Sequence, residues 1–270
     1  PNAAGIKAIW SPNTGIIDYK KVATAYADIF KNNGGELLLD SKVISLSQTR
    51  ENVFIETEKD TITAKHIINC AGLHADRIAG LMGLDAGIRI VPFRGEYYSV
   101  DKTRGNLING LIYPVPDPAM PFLGVHFTTR IDGSVEAGPN AVLAFAREGY
   151  SKLSFNLNDV LNTVSFPGFW KMSVKHLRTG VSEQYRSLNK NLFLKSLQYL
   201  VPDIHMSDLI APGAGVRAQA VDRGGNLLQD FSIIEQKHAI HVLSAPSPGA
   251  TSSLTIGKHI VALAQKNFEL

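Results

Sequence analysis

Between Asp18 and Gly35 the apolar residues fall at Val22, Tyr26, Ile29 and Phe30, the three- and four-residue spacing of one helix face. Asp18 is a good N-cap for that helix because its carboxylate can accept from the first unpaired N–H groups, and Gly34-Gly35 stops it. The runs then shorten. "GELLLD", "KVISLS", "NVFIETE" and "TITAKHIINC" read as strands, with "TRENV" and "EKDT" as turns. The last run breaks at Gly72, and a second helix follows over about Ala75 to Met82. From Pro92 to Gly149 the chain is rich in Gly, Pro and aromatics, and alternating runs such as "GEYYSV", "GLIYPV" and "FLGVHFTT" predict an antiparallel sheet. Its turns are expected at "NG", "DPAMP" and "DG". Residues 155–200 turn helical, in pieces separated by Pro167, Gly180 and "LNKN". Strands return in "GVRAQAV", "FSIIEQ" and "HAIHVLS", and the helix of "GATSSLTIGKHIVALAQ" closes the chain. The order predicts an α/β (mixed α+β) domain of residues 1–91 and 211–270, interrupted by an antiparallel-sheet domain with helices over 92–210.

Composition narrows the function classes. The chain has 270 residues, 44% hydrophobic and 19% charged, which suits a folded globular protein. Its net charge is +3 and the basic residues are scattered, so no concentrated phosphate-neutralising face for nucleic acid is present. The single cysteine, Cys70, excludes an internal disulfide, and no Cys/His cluster has the spacing of a metal site. A reducing, cytoplasmic location is expected. No run of about 18 apolar residues spans a membrane, and no signal peptide is recognisable. The abrupt start, "PNAAGIKAIW" without Met, leads us to expect the natural N-terminus further upstream.

Five stretches could carry chemistry. In "NCAGLHAD", Gly72 sits where backbone can approach a ligand, although an ordinary strand-to-helix turn needs a glycine there too. In "FRGEYYSV", alternation sends Arg94, Glu96 and Tyr98 to one face and Tyr97 to the other. That suits either a structural Arg–Glu pair or a pocket wall. His126 lies on an apolar strand, as a core histidine or as a proton acceptor with a suitable pKa. "GAGVRAQAVD" presents Arg217 and Gln219 on one face, and an arginine fork is the best single anchor for a carboxylate. "SAPSPGATSS" ends a strand in Ser, Pro and Gly with a helix starting around Thr251, which could be an N-cap or an oxygen-binding turn. His238 and His241, three apart on a strand, face opposite sides and make a poor metal pair. A Ser/His/acid hydrolase has no G-x-S-x-G to rest on.

Taken together, "SPNTGIIDY", "IINCAGLHADRIA", "VPFRGEYY", "GVHFTTRIDGSVEAGPNAVLAF", "GAGVRAQAVD" and "SAPSPGATSSLTIGKHI" resemble the D-amino-acid-oxidase-like family of FAD-dependent oxidoreductases. Within it they are most similar to the L-2-hydroxyglutarate oxidase/dehydrogenase group, and the likeness runs along the whole chain. The resemblance implies a three-layer FAD-binding domain interleaved with a substrate domain, and hydride transfer from a 2-hydroxy acid to FAD. By position in the matching motifs, Arg217 would hold the substrate carboxylate with Gln219 beside it. Ala71, Gly72, Ser247, Pro248, Gly249, Ala250 and Thr251 would lie along the FAD. His126 would accept the proton, and Arg94 or Tyr97 would meet a second carboxylate. The family's glycine-rich phosphate loop lies upstream of "TGIIDY" and is absent here, so a C-terminal fragment without independent FAD binding or activity is expected. Still open are an amine- or glycerol-phosphate-oxidising sibling and a folded, inactive binding module. Oxygen or a membrane quinone pool is left open as electron acceptor, the latter with a peripheral membrane surface, although no helix stands out as its anchor. Exposed apolar surface that could drive dimerisation is also expected.

Overall fold

The computed structural model describes residues 2–116 and 124–270, so the "DPAMP" turn lies outside the described residues. Helix α1 (Tyr19–Asn32) is followed by strands β1 (Val43–Gln48), β2 (Val53–Thr57), β3 (Thr61–Ala64) and β4 (Ile67–Asn69), then helix α2 (Ala75–Leu81). Strands β5 (Ile88–Val100), β6 (Leu111–Ile112), β7 (His126–Thr129), β8 (Val135–Gly138) and β9 (Val142–Leu143) come next. Helices α3 (Leu157–Val164), α4 (Pro167–Lys175), α5 (Leu177–Leu188) and α6 (Lys190–Gln198) precede β10 (Leu209–Asp222), β11 (Ser232–Gln236), β12 (Ala239–Ser244) and α7 (Ser253–Asn267). The fold is mixed α/β. The chain forms two compact units, one of residues 1–18, 92–161 and 173–217, the other of 19–91, 162–172 and 218–270. This differs from a division into 92–210 and the rest: residues 1–18 and 211–217 join the first unit, and 162–172 join the second. Ala4 N–H donates to Leu200 O, tying the first residues to the first unit, whereas Arg89 reaches Asn162 O within the second.

In the first unit the strand order is β10-β5-β8-β7-β6, with β9 also on β5. The antiparallel register places Tyr98, Ala137, Phe127 and Ile112 in one row across four strands. That face packs against Phe193, Leu197, Leu200, Val201 and Ile204, the apolar stripe of α6 and the turn after it. Each such aliphatic or aromatic side chain, fully buried, contributes roughly 1.5–3 kcal/mol, which fixes which face of the sheet looks inward. The opposite face is left to the next row: Tyr97, Gly138 and His126.

The second unit holds two three-stranded sheets, the antiparallel meander β1-β2-β3 and the sheet β11-β12-β4. In the latter β12 and β4 run parallel, with His241 opposite Asn69. Ala75 and Ala79 of α2 pack on Leu243, and α7 covers Ile240 through Ala264 and Phe268. Helix α1 buries no residue; Tyr26, Ile29 and Phe30 of its apolar face are 40%, 58% and 50% exposed.

Three sequence expectations change. "GELLLD" forms no strand: Leu37, Leu38 and Leu39 are exposed, and Asp40 takes a positive φ of 50°. "TITAKHIINC" splits at Lys65-His66, because β3 pairs antiparallel with β2 while β4 joins β12 in a different sheet. Gly180 does not separate helices but lies within α5, where its N–H donates to His176 O. A glycine inside a helix costs only about 1 kcal/mol, which neighbouring turns can offset.

Candidate active site

The first unit's outward sheet face gathers polar and aromatic groups in one row. Register pairs His126 with Gly138, one position along from the Tyr98–Ala137 pair, so Tyr97, Gly138 and His126 lie side by side on β5, β8 and β7. Gly138 has φ +142°, and a Cβ there would sit 2.6 Å from Glu96 O and 3.1 Å from Tyr97 Cα. Only glycine fits, because the Glu96 and Tyr97 backbone closes directly against that position.

Arg217, on the neighbouring strand β10, stands near the Tyr97 hydroxyl, where its charge and N–H groups favour the phenol oxygen as an acceptor. A guanidinium only donates, so the phenol oxygen accepts and its own O–H remains available for another acceptor. Burial raises the Tyr97 pKa and the Arg217 charge works against that rise, so the phenol keeps its proton at neutral pH. His126 stacks on Tyr113, 4.4 Å between ring centroids. Its Nδ1 lies 3.0 Å from Gly124 O, and a carbonyl can only accept, so Nδ1 carries the hydrogen and Nε2 holds a lone pair. Burial lowers the His126 pKa, the bond to Gly124 opposes this, and the Arg217 charge adds to it. The imidazole is thus neutral at pH 7 and able to take up a proton.

Arg94 lies elsewhere. It is 3% exposed on the opposite face of β5, with Nη2 2.9 Å from Glu96 Oε1 and Nη1 2.9 Å from Ser151 O. Glu96 also accepts from Ser187 Oγ at 2.7 Å and Asn140 Nδ2 at 3.0 Å. Burial works against its charge, yet these bonds, with Lys152 nearby, hold its carboxyl below the usual range. Of the two readings of the Arg–Glu spacing, the geometry is that of a structural pair. Gln219 likewise spends both amide hydrogens on backbone, at Ala220 O and Leu228 O, 3.0 and 3.1 Å away.

In the second unit the two predicted cofactor segments meet at one sheet edge. Because β4 and β12 are parallel, Ala71-Gly72 and Ala245–Thr251 leave the carboxyl ends of adjacent strands, the place where open α/β sheets receive ligands. Asn69 fixes the first turn: its Nδ2 donates to Ala75 O at 2.8 Å and its Oδ1 accepts from Ala71 N at 3.1 Å. Gly72 adopts φ +53° with open space where a Cβ would be. The second turn winds tightly, Gly249 N to Pro246 O and Ser252 N to Pro248 O, so α7 starts at Ser253 rather than Thr251. The Thr251 hydroxyl meets Tyr19 Oη at 2.9 Å. Such small, exposed turns fit the approach of a flat ring. A pyrophosphate is a different matter: no G-x-G-x-x-G occurs in the sequence, and the nearest match, "GAGVRA", lies inside strand β10.

Sequence reasoning missed Tyr113, which stacks on His126, and the close packing at Gly138. The register could have given the latter, since the "DG" turn fixes which β8 residue faces His126. Among the described residues no helix is long and apolar enough to cross a membrane.

Residues 1–263 match the model of the DAO family, described as FAD dependent oxidoreductase. The chain is 51% identical, over 99% of its length, to an L-2-hydroxyglutarate dehydrogenase of Indibacter alkaliphilus, of which it covers 67%. To an L-2-hydroxyglutarate dehydrogenase of Escherichia coli (strain K12) it is 45% identical over 98% of its length, covering 63% of that protein. It therefore spans about two thirds of the length of these curated relatives. Among solved structures, dithionite-reduced L-alpha-glycerophosphate oxidase from Mycoplasma pneumoniae with FAD bound shares the fold, at TM-score 0.66 and 20% identity over 89% of this chain and 54% of that one. The chain belongs to the DAO family of FAD-dependent oxidoreductases, whose cofactor is FAD.

Proposed function

We propose that this chain carries the substrate face and the flavin-side edge of an enzyme that oxidises L-2-hydroxyglutarate, or a close 2-hydroxy acid, to the 2-oxo acid. The observation that carries the reading is the juxtaposition of Arg217, Tyr97 and a neutral His126 on one sheet face, with Gly138 between the two rings' strands. Relatives named L-2-hydroxyglutarate dehydrogenase support the choice of substrate. Arg217 takes the carboxylate next to the reacting carbon, through paired N–H donors. The Tyr97 O–H is available to the second carboxylate, since the fork of Arg94 is occupied by Glu96 and Ser151. His126 Nε2 removes the proton of the 2-hydroxyl. FAD, when bound, supplies the acceptor for the hydride leaving the same carbon. Ala71, Gly72 and Ser247–Thr251 are the residues that would lie along its ring.

The phosphate end of the cofactor finds no glycine-rich turn among these residues, so the 270-residue chain alone is expected neither to retain FAD nor to turn over substrate. Incubation with excess FAD, desalting and an absorption spectrum test this. A protein without flavin bands is the expected result, and retained flavin would overturn it. For a peripheral contact with a membrane surface, α5 offers an outward apolar stripe, although Arg186 beside it is paired with Glu183. Leu177, Val181, Tyr185 and Leu188 form an outward stripe, each at least 60% exposed, flanked by Arg178 and Arg186.

A further inference from the structure

Within the second unit lies a cleft that the proposed chemistry does not use. It has a volume of about 580 Å³, well inside the range of small-ligand pockets. Three arginines line it from three stretches of chain: Arg77 on α2, Arg89 near the start of β5, and Arg223 in the turn after β10. Phe166 and Leu84 give it an apolar wall, and Ser165 adds a hydroxyl-bearing residue to the lining.

The state of the charges makes this more than a crowded surface. The Arg89 side chain is 30% exposed, yet its contacts are long: Asp76 Oδ2 at 4.0 Å and Asn162 O at 3.4 Å. A charge-assisted bond to a carboxylate is normally about 2.7–2.9 Å. Asp76, which also lines the cleft, accepts from Arg77 N at 2.9 Å and Ile90 N at 3.0 Å, so both its oxygens serve backbone N–H groups. Meanwhile the Arg89 guanidinium lies over the Phe166 ring, 5.4 Å from its centroid. Arg223 pairs with Asp85, but those side chains are 63% and 75% exposed, and a pair so open to water holds weakly. An incoming anion can therefore take the Arg89 fork and compete with Asp85 for Arg223.

We infer that this cleft is a binding site for a small polyanion, held between Arg89 and Arg223 with Arg77 beside them. Two sources share that chemistry, organic or inorganic phosphates and polycarboxylates. The site stands apart from the reading of the substrate face, since none of its residues is used there.

The test is calorimetric titration of the whole chain with pyrophosphate in one arm and citrate in the other. Wild type is expected to bind at least one of them, the tighter arm identifying the source, with affinity falling as salt rises. Arg89→Gln should weaken binding at least tenfold and Arg223→Gln roughly threefold to fivefold, while Arg217→Gln should leave it unchanged. Absence of binding in wild type, unaltered affinity in Arg89→Gln, or loss of binding in Arg217→Gln would each overturn the inference. Should Arg89→Gln fail to fold, the exposed Arg223→Gln decides alone, and unaltered affinity there counts against the site. Turnover is not part of the readout, so a wrong substrate assignment and a wrong anion site are separately visible.

Discussion

At the scale of single residues, His126 is the group whose chemistry is most exposed to test. Its folded pKa lies below the ordinary 6.5 because burial and the Arg217 charge disfavour the imidazolium. A base must be neutral to act, so kcat/KM of the FAD-loaded enzyme is expected to reach its plateau by about pH 7 and fall toward acid. His126→Gln should lower kcat by roughly 10²–10⁴-fold and remove that acid limb; a pH–rate profile left unchanged would exclude the role. The residue types were readable before any coordinates, because Arg, Tyr and His on alternating strands advertise both chemistry and face. Their company was not. Arg94 and Tyr97 stand three apart, yet one faces a buried carboxylate and the other faces Arg217. Alternation separates the faces but cannot say which of them packs on helices.

Elements decide that question through register. Val135–Gly138 pairs with β5 on one side and β7 on the other, so a single small residue sets how closely β8 approaches the Tyr97 backbone. Gly138→Ala forces a Cβ against Glu96 O and the Tyr97 backbone in a conformation that side chains rarely adopt. A loss of about 1–3 kcal/mol is expected in urea unfolding, together with a raised KM. Helix α5 carries a second prediction at this scale. Val181→Asp places a charge in the middle of the exposed stripe, and sedimentation with vesicles rich in phosphatidylserine should fall severalfold while stability changes by less than about 0.5 kcal/mol. Helices and most strands were legible because periodicity and turn residues agree locally. "GELLLD" misled because three leucines suit a strand in every respect except the partner, and pairing is a non-local fact.

For the whole molecule, acid stability follows from where its histidines sit. His241 is fully buried in β12, its Nδ1 accepting from Asn69 at 3.1 Å and its Nε2–H donating to Gln236 at 3.0 Å. Burial lowers its pKa, and those of His66 and His126 are lowered as well. Between the folded values and 6.5 the unfolded chain holds protons that the native one does not. Stability is therefore complete above pH 6.5 and declines as pH falls through the folded values. Glu96 adds its loss only below its ordinary 4.5, toward its depressed folded value. Urea unfolding at pH 7.5, 6.0 and 5.0 should show the first decline, with a shallower slope in His241→Asn. The interleaving of three stretches per unit was only half visible in sequence: a change of pattern at Pro92 marks a border, but nothing in residues 162–172 says to which unit they pack.

That interleaving also governs how the protein is made. Strand β4, from Ile67, pairs with β12, from Ala239, about 170 residues later. At 5–20 residues per second the ribosome needs roughly 10–30 s to deliver the partner. Until then β4 lacks the one strand that it pairs with among the described residues. Synthesis of this chain thus includes a long interval in which a nascent edge must be sheltered, and its yield in a cell should track the supply of holdase chaperones more closely than the final stability of the fold.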